Sequence, residues 1–133
     1  MTDDYVMLHA KVPFGLRTPL STDALWVDLT YDTRDPYAIH FAPRERPQLP
    51  PWLFSRELVS RGLYTGAGQG DVQLRPSARD GSTLIHLMTP TGRVELMTRT
   101  NELAGFLERA RAVVPFGEEN HWIDFERELA RLA

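Results

Sequence analysis

Hydrophobic and polar residues alternate most clearly in two runs, residues 25–31 and 37–41. A period of two residues is typical of a strand with one buried face. Between the runs, Asp32 and Asp35 can accept hydrogen bonds from nearby backbone amides, and Pro36 disfavours helix at the residue before it. The pattern therefore predicts a β-hairpin with a tight turn.

Similar patterns predict strands on both sides of this hairpin. The first strand is expected over residues 4–12, followed by an irregular linker, 13–21, with two prolines and a glycine. Four prolines within residues 42–51 predict a rigid exposed loop, and the glycines of 65–71 predict a flexible one. The remaining predicted strands are 52–54, 72–75, 82–88 and 93–98, of which the last two form a second hairpin.

Helices are expected after each of the two groups of predicted strands. Ser55 has the position of an N-cap for a helix that Gly62 is expected to end. Thr100 is expected to cap a longer helix, and Asp124 a final one. Residues at spacings of three and four give the longer helix a buried stripe. This stripe consists of Leu103, Phe106, Leu107, Ala110 and Val114.

The order of these elements predicts an α+β fold in a single domain, residues 1–133. Four strands and a helix precede three to four strands and two helices, which suggests antiparallel sheets in two related halves without a sequence repeat. A chain of 133 residues with 42% hydrophobic residues is large enough for one core. No apolar run reaches the roughly 20 residues of a membrane span, and the acidic start is unlike a secretory signal. We therefore expect a cytoplasmic protein.

The composition also narrows the possible chemistry. The chain has no cysteine, which excludes disulfides, thiolate nucleophiles and sulfur-ligated metals. A net charge of −3 argues against a general nucleic-acid binder, whose affinity depends on neutralising phosphates. Lys11 is the only lysine among fifteen basic residues, a bias typical of a GC-rich genome.

No motif of catalysis or metal binding is present. Asp32 and Asp35 are explained as turn residues rather than as a catalytic pair, and the glycine-rich run 66–70 lacks the spacing of a phosphate-binding loop. The chain has four histidines, His9, His40, His86 and His121. They have neither the HxxxH nor the HExxH spacing of a metal site on a helix. We therefore expect no enzymatic activity, no metal and no cofactor.

Trp26 is a candidate for a protein interface. It shares its strand face with Asp28 and Thr30, so it is expected outside the main core. An aromatic side chain there either packs beneath a helix, the interpretation we favour slightly, or anchors a protein interface.

Aromatic residues beside arginines suggest an alternative function. Trp52, Phe54 and Tyr64 could stack on the bases of a single-stranded nucleic acid. The arginines that would contact its phosphates are Arg56, Arg61 and Arg75. Core packing with a solvated rim explains the same residues, and the acidic balance of the chain disfavours nucleic acid.

Several separated stretches resemble one family, the SsgA-like sporulation and cell division proteins of actinomycetes. They occur in the family's order at about the family's spacing, and together they run through most of the chain. The stretches are 31–40, 52–58, 61–63, 68–72 with 75–77, and parts of 103–132.

The resemblance implies a small cytoplasmic protein without catalytic activity that acts at the division septum. Members of the family recruit the tubulin-like division GTPase FtsZ to future septa or act in septal wall processing. The family fold is similar to the Whirly-type single-stranded nucleic-acid-binding fold, and members associate as homotrimers. The expected partners are thus FtsZ or another SsgA-like protein. The contact is expected to use surface that core packing does not explain, and the candidates are Trp26 with Arg44, Glu45 and Arg46 of the proline-rich loop.

Overall fold

A computed structural model describes residues 5–46, 49–69, 72–77, 81–90 and 92–123, with the side chain of Gln69 excepted. Two helices, α1 (Arg56–Tyr64) and α2 (Thr100–Val113), and a 3₁₀ turn, Glu119–Trp122, accompany one sheet. The strands are β1 (Met7–Arg17), β2 (Thr22–Asp32), β3 (Ala38–Pro43), β4 (Trp52–Ser55), β5 (Ala67–Gln69), β6 (Val72–Pro76), β7 (Ser82–Thr89) and β8 (Gly92–Arg99).

All the described strands belong to a single antiparallel sheet of order β4-β3-β2-β1-β8-β7-β6-β5. The α+β class is confirmed, but separate sheets in two halves are not found, because β1 pairs with strands on both sides. Its whole length pairs with β2, and Gly15 to Arg17 also pair with β8. The similarity to the Whirly fold stays a prediction.

The linker predicted over residues 13–21 is wrong for its first half, where β1 continues to Arg17. Phe14 and Leu16 in this part are buried and extend the inner row begun by Val12. Pro13 lies where β1 has a paired strand on one side only, because pairing with β8 begins at Gly15, and proline is tolerated at such an edge. Its carbonyl accepts a hydrogen bond of 2.9 Å from Thr98 Oγ1. Burial of two large side chains thus outweighs the proline signal.

One face of the sheet carries the core, on which both helices pack. The predicted hairpin of β2 and β3 is confirmed, and the inward residues of both strands are buried. Tyr37, expected in the apolar row of the second run, instead precedes β3 and is 45% exposed, and its hydroxyl is hydrogen-bonded to Asn120. The predicted stripe of α2 is buried as well. The centre of the core contains Val27, Leu29, Tyr31, Ile39, Phe41, Leu74, Ile85, Leu96 and Leu103.

The start of α1 is confirmed, since Ser55 Oγ accepts a hydrogen bond of 3.0 Å from the amide of Leu58. The expected end at Gly62 is wrong, because the helix continues to Tyr64. Gly62 instead lies where α1 approaches β6, and a Cβ added there would be 2.5 Å from Leu74 Cβ. The glycine therefore serves close packing rather than helix termination.

Two further expectations are wrong. Residues 67–69, expected to be loop, form the short edge strand β5 by pairing with β6. Thr100 does not cap α2, because its hydroxyl shares a 2.8 Å hydrogen bond with the hydroxyl of Thr83 on β7. The helix expected after Asp124 lies outside the described residues.

Neither described helix has the length and apolar character needed to cross a membrane.

Candidate protein interaction site

The solvent face of the sheet carries Trp26. Antiparallel pairing of β1 and β2 places Trp26 opposite Pro13 and Asp28 opposite Lys11. The indole is 46% exposed, and Lys11 Nζ lies 4.6 Å from its ring centroid. Neither α1 nor α2 packs on this face, since both bury their apolar sides in the core on the other. The favoured interpretation of Trp26, packing beneath a helix, is therefore not met among the described elements.

The loop after β3 runs back along β2 beside Trp26. The amide of Arg44 donates to the carbonyl of Trp26 at 2.9 Å, and its Nε donates to Asp28 Oδ2 at 2.6 Å. Farther along, Arg46 Nη2 donates to the carbonyl of Ala24 at 3.4 Å. Glu45 between them has φ of 59°, a left-handed conformation that bends the chain here. These contacts fix the described part of the predicted rigid loop against the sheet.

The strand and the loop enclose a pocket of about 400 Å³. Its wall includes all four residues expected at a protein interface, which the structure brings together from positions 26 and 44–46. We call it the Trp26 pocket. It is lined by Lys11, Ala24, Leu25, Trp26, Arg44, Glu45 and Arg46.

The charges of the Trp26 pocket are only partly neutralised. Arg44 is paired with Asp28, and Arg46 Nη1 lies 4.0 Å from Asp23 Oδ2. Lys11 forms no ion pair with any described residue and contacts the indole instead. Asp28 Oδ1 is buried without a hydrogen bond, 3.6 Å from Nε2 of His9. The pocket can thus hold an apolar side chain on the indole beside a group that interacts with Lys11.

The three arginines of the nucleic-acid alternative do not form one surface. Arg56 is 1% exposed and inaccessible to phosphate, so its assignment is wrong. Arg61 is exposed on α1, 3.9 Å from Glu57, whereas Arg75 lies on the face of β6 opposite to Leu74, the residue that contacts α1. The expected aromatic platform is also incomplete: Phe54 is buried, and Trp52 stacks on Phe41 in the core at 5.4 Å.

Arg56 instead anchors the chain that follows α2. Its Nη2 donates to Glu119 Oε2 at 2.7 Å, and its Nη1 donates to the carbonyl of Val114 at 2.6 Å. A third acceptor is the carbonyl of Pro115, 3.1 Å from Nη2. Burial opposes ionisation of Glu119, but hydrogen bonds from Arg56 and from backbone amides outweigh it and hold the pKa of this carboxyl below its ordinary value. The group is a structural ion pair with its donors and acceptors satisfied.

The turn between β2 and β3 is confirmed as the setting of Asp32. Its Oδ1 accepts a 2.9 Å hydrogen bond from the amide of Arg34, whose guanidinium also lowers the pKa of Asp32. His40 Nε2 lies 3.3 Å from Asp35 Oδ2 at the same turn. Buried Tyr31 donates its hydroxyl proton to the carbonyl of Pro36 at 2.8 Å, and burial raises the pKa of Tyr31 to about 12. These contacts explain the polar residues as parts of the hairpin.

The part of the chain that the structure describes contains no candidate metal-binding site. No three acidic or histidine side chains there are close enough to hold a metal ion. His9 lies beside Thr30 and Asp28, and His86 Nε2 lies 3.6 Å from Glu95 Oε2.

Comparison with known proteins places this fold and sequence among cell division proteins. Residues 25–119 match the family model described as Streptomyces sporulation and cell division protein, SsgA. A sporulation-specific cell division protein SsgB of Saccharopolyspora erythraea is 39% identical over 135 residues, covering 99% of this chain and 96% of the relative. The SsgB protein of Streptomyces coelicolor is 36% identical over 128 residues, covering 94% and 91% respectively.

Two solved structures have the same fold. An SsgA-like sporulation-specific cell division protein from Thermobifida fusca superposes with a TM-score of 0.85 at 31% identity, covering 100% of both chains. A second structure, from work on SsgB mutations that correlate with longitudinal cell division during sporulation of Streptomyces coelicolor, has a TM-score of 0.80 at 31% identity. It covers 89% of this chain and 96% of the other.

Proposed function

This chain belongs to the SsgA family of sporulation and cell division proteins, and we propose that it is a non-enzymatic adaptor that places the division septum. Its relatives are named for a role in sporulation-specific cell division. The finer proposal is that the protein recruits or positions FtsZ, or the septal wall machinery, from the cytoplasmic side of the septum. This step rests on the family resemblance noted from the sequence.

The Trp26 pocket is the observation that carries the proposal. The side chain of Trp26 is 46% exposed and does not contribute to the core. It nevertheless lies on β2, which is paired with β1 over its whole length. Rigid aromatic residues beside basic ones are common anchors of protein interfaces, because they bury much area at little entropic cost. Trp26, Arg44, Glu45 and Arg46 are therefore the proposed contact residues for FtsZ or for another SsgA-like protein.

Homotrimer formation would strengthen such a contact. The sheet leaves other apolar side chains exposed, including Met7 at 50% and Leu53 at 54%, which is consistent with a self-association surface. A trimer that presents three equal surfaces to a filament gains roughly two or more orders of magnitude through effective concentration. We expect light scattering after gel filtration to give three times the 15.2 kDa chain mass at micromolar concentration. A monomer-sized species would contradict this expectation.

Co-sedimentation with FtsZ tests the adaptor function. The protein is expected to pellet with FtsZ polymers formed with GTP and to bind unpolymerised FtsZ much more weakly, because only the polymer offers repeated sites. The control is the same protein with FtsZ kept in GDP. Negligible binding in both states, together with normal septa in a deletion strain, would contradict the adaptor proposal.

The alternative of single-stranded nucleic-acid binding gains no support. Burial of Arg56 removes one of its three proposed phosphate contacts, and the other two lie on different surfaces.

A further inference from the structure

The solvent face of β6 and β8 carries three exposed arginines, Arg75, Arg93 and Arg99. None of them forms an ion pair with another residue in the described ranges 5–46, 49–69, 72–77, 81–90 and 92–123. Most of the other arginines that the structure describes are paired with a carboxylate, as Arg17, Arg34, Arg44 and Arg56 are. On a chain of net charge −3, three arginines without an ion pair among the described residues are therefore a distinctive feature of this face.

Strand register fixes the spacing of the Cα atoms of the three arginines. Arg75 lies opposite Leu84 of β7, which in turn lies opposite Met97 of β8. Arg93 and Arg99 stand near the two ends of β8, about 20 Å apart at roughly 3.3 Å per residue. Arg75 is two strand spacings, about 10 Å, to the side. We call this surface the arginine face.

The carboxylate of Glu95 does not neutralise the arginine face. Its Oε1 is 2.8 Å from Arg17 Nη1, and its Oε2 is 3.6 Å from His86 Nε2. The charge of Glu95 is thus paired with Arg17, which is not one of the three arginines. The floor between the arginines includes Leu84, which is only 7% exposed although it lies outside the main core cluster. Met97 and the partly exposed Glu95 lie between Arg93 and Arg99 on the same face of β8.

We propose that the arginine face binds an extended acidic segment of a partner protein. About six or seven residues of extended chain span the 20 Å between the end arginines. Guanidinium groups bind carboxylates through paired hydrogen bonds, which gives both attraction and orientation. A nucleic acid fits the surface less well, because β6, β7 and β8 contain no phenylalanine, tyrosine or tryptophan on which bases could stack.

This inference goes beyond the adaptor proposal, because it assigns a second docking surface. The Trp26 pocket is built from β1, β2 and the loop after β3. The arginine face lies on the other side of β1 in the sheet order. A protein with both surfaces can hold two partners at once, which an adaptor requires.

A peptide-binding measurement tests the arginine face without FtsZ. The probe is a fluorescein-labelled octapeptide of alternating Glu and Ala, with alternating Lys and Ala as its counterpart. The variant is R75Q/R93Q/R99Q, and the matched control is R61Q/R109Q/R111Q, which removes the same charge from exposed arginines of α1 and α2. We expect the acidic peptide to bind the wild type and the control alike, and the first variant roughly ten-fold more weakly.

Ionic strength sharpens the test. Binding should weaken between about 0.01 M and about 0.1 M salt, as the Debye length falls from roughly 30 Å to roughly 10 Å. Equal losses in the two variants, or no peptide binding at the lower salt, would overturn the inference. The inference would also be overturned if a thymidine octanucleotide bound more tightly than the acidic peptide and R75Q/R93Q/R99Q abolished that binding. A smaller assembly of this variant than of the wild type in light scattering would overturn it too, because the face would then be a contact between copies of the chain. R75Q/R93Q/R99Q should co-sediment with FtsZ as the wild type does, because its Trp26 pocket is unchanged.

Discussion

Replacement of Arg56 with methionine is expected to lower the free energy of unfolding by about 3–5 kcal/mol, because it leaves a buried carboxylate without its cation. Arg56 is 1% exposed, and Glu119 is 8% exposed. The change also strips the carbonyls of Val114 and Pro115 of a donor. Urea unfolding followed by tryptophan fluorescence measures the loss.

The double variant R56M/E119L separates the ion pair from simple packing. Removal of both charges avoids the unpaired carboxylate, so R56M/E119L should be clearly more stable than R56M alone. The double-mutant cycle is completed by the wild type and the single variant E119L. A loss below about 1 kcal/mol for R56M, the level of an exposed pair, would contradict the structural role given to Arg56.

The pH dependence of stability should report the same group. The pKa of Glu119 is lowered in the folded state, so its stabilisation is fully present above the ordinary value of 4.5 and is lost as the pH falls through the folded pKa. The difference in melting temperature between wild type and R56M should therefore shrink in acid. A difference that stays constant down to the acid unfolding limit would show that Glu119 is not the partner that matters.

A second large effect is expected at Gly62, where alanine should cost about 1–3 kcal/mol. Helix propensity alone predicts the opposite, a gain of roughly 0.5–1 kcal/mol. The added Cβ would lie 2.5 Å from Leu74 Cβ, and Leu74 is itself 1% exposed between α1 and the sheet. Neither the helix nor β6 can move without disturbing the core, so the clash outweighs the propensity.

Gly105 provides the matched control. It lies in the interior of α2, is exposed, and has no atom within 4 Å of the position of an added Cβ. Gly105→Ala should therefore raise the free energy of unfolding by about 0.5–1 kcal/mol. The same substitution is thus expected to change stability in opposite directions in the two helices. Stabilisation by both variants would contradict the close packing of α1 on β6.

Local patterns predicted most of the elements but not how they join. The alternation around Asp32 and the stripe beginning at Leu103 gave β2, β3 and α2, because each depends on which face is buried. The single sheet was missed because it depends on pairing of β1 with β8, about 80 residues apart in sequence. Proline and glycine signals misled at Pro13 and Gly62, where tertiary packing decides the structure.

The exposure of Trp26 was predicted correctly and the burial of Arg56 was not, while the role of Trp26 and the loop residues at an interface stays a prediction. Trp26 was placed on the solvent face from its position among polar neighbours, and the loop residues were selected as surface that the core does not use. Arg56 was assigned to a phosphate contact because it follows Trp52 and Phe54 closely in the sequence. One signal pointed the other way: Arg56 shares its helix stripe with Val59 and Leu63, which are buried on the core side of α1.

The most direct test of the adaptor function compares Trp26→Ala with Tyr64→Ala in co-sedimentation with FtsZ polymers. Both changes remove an exposed aromatic side chain, but Tyr64, 73% exposed, lies on α1 away from the Trp26 pocket. Loss of a central anchor costs about 2 kcal/mol or more, so Trp26→Ala should weaken binding by roughly thirty-fold. Tyr64→Ala should bind within about two-fold of the wild type. Equal binding by both variants, with their folds intact, would contradict the assignment of the Trp26 pocket as the contact surface.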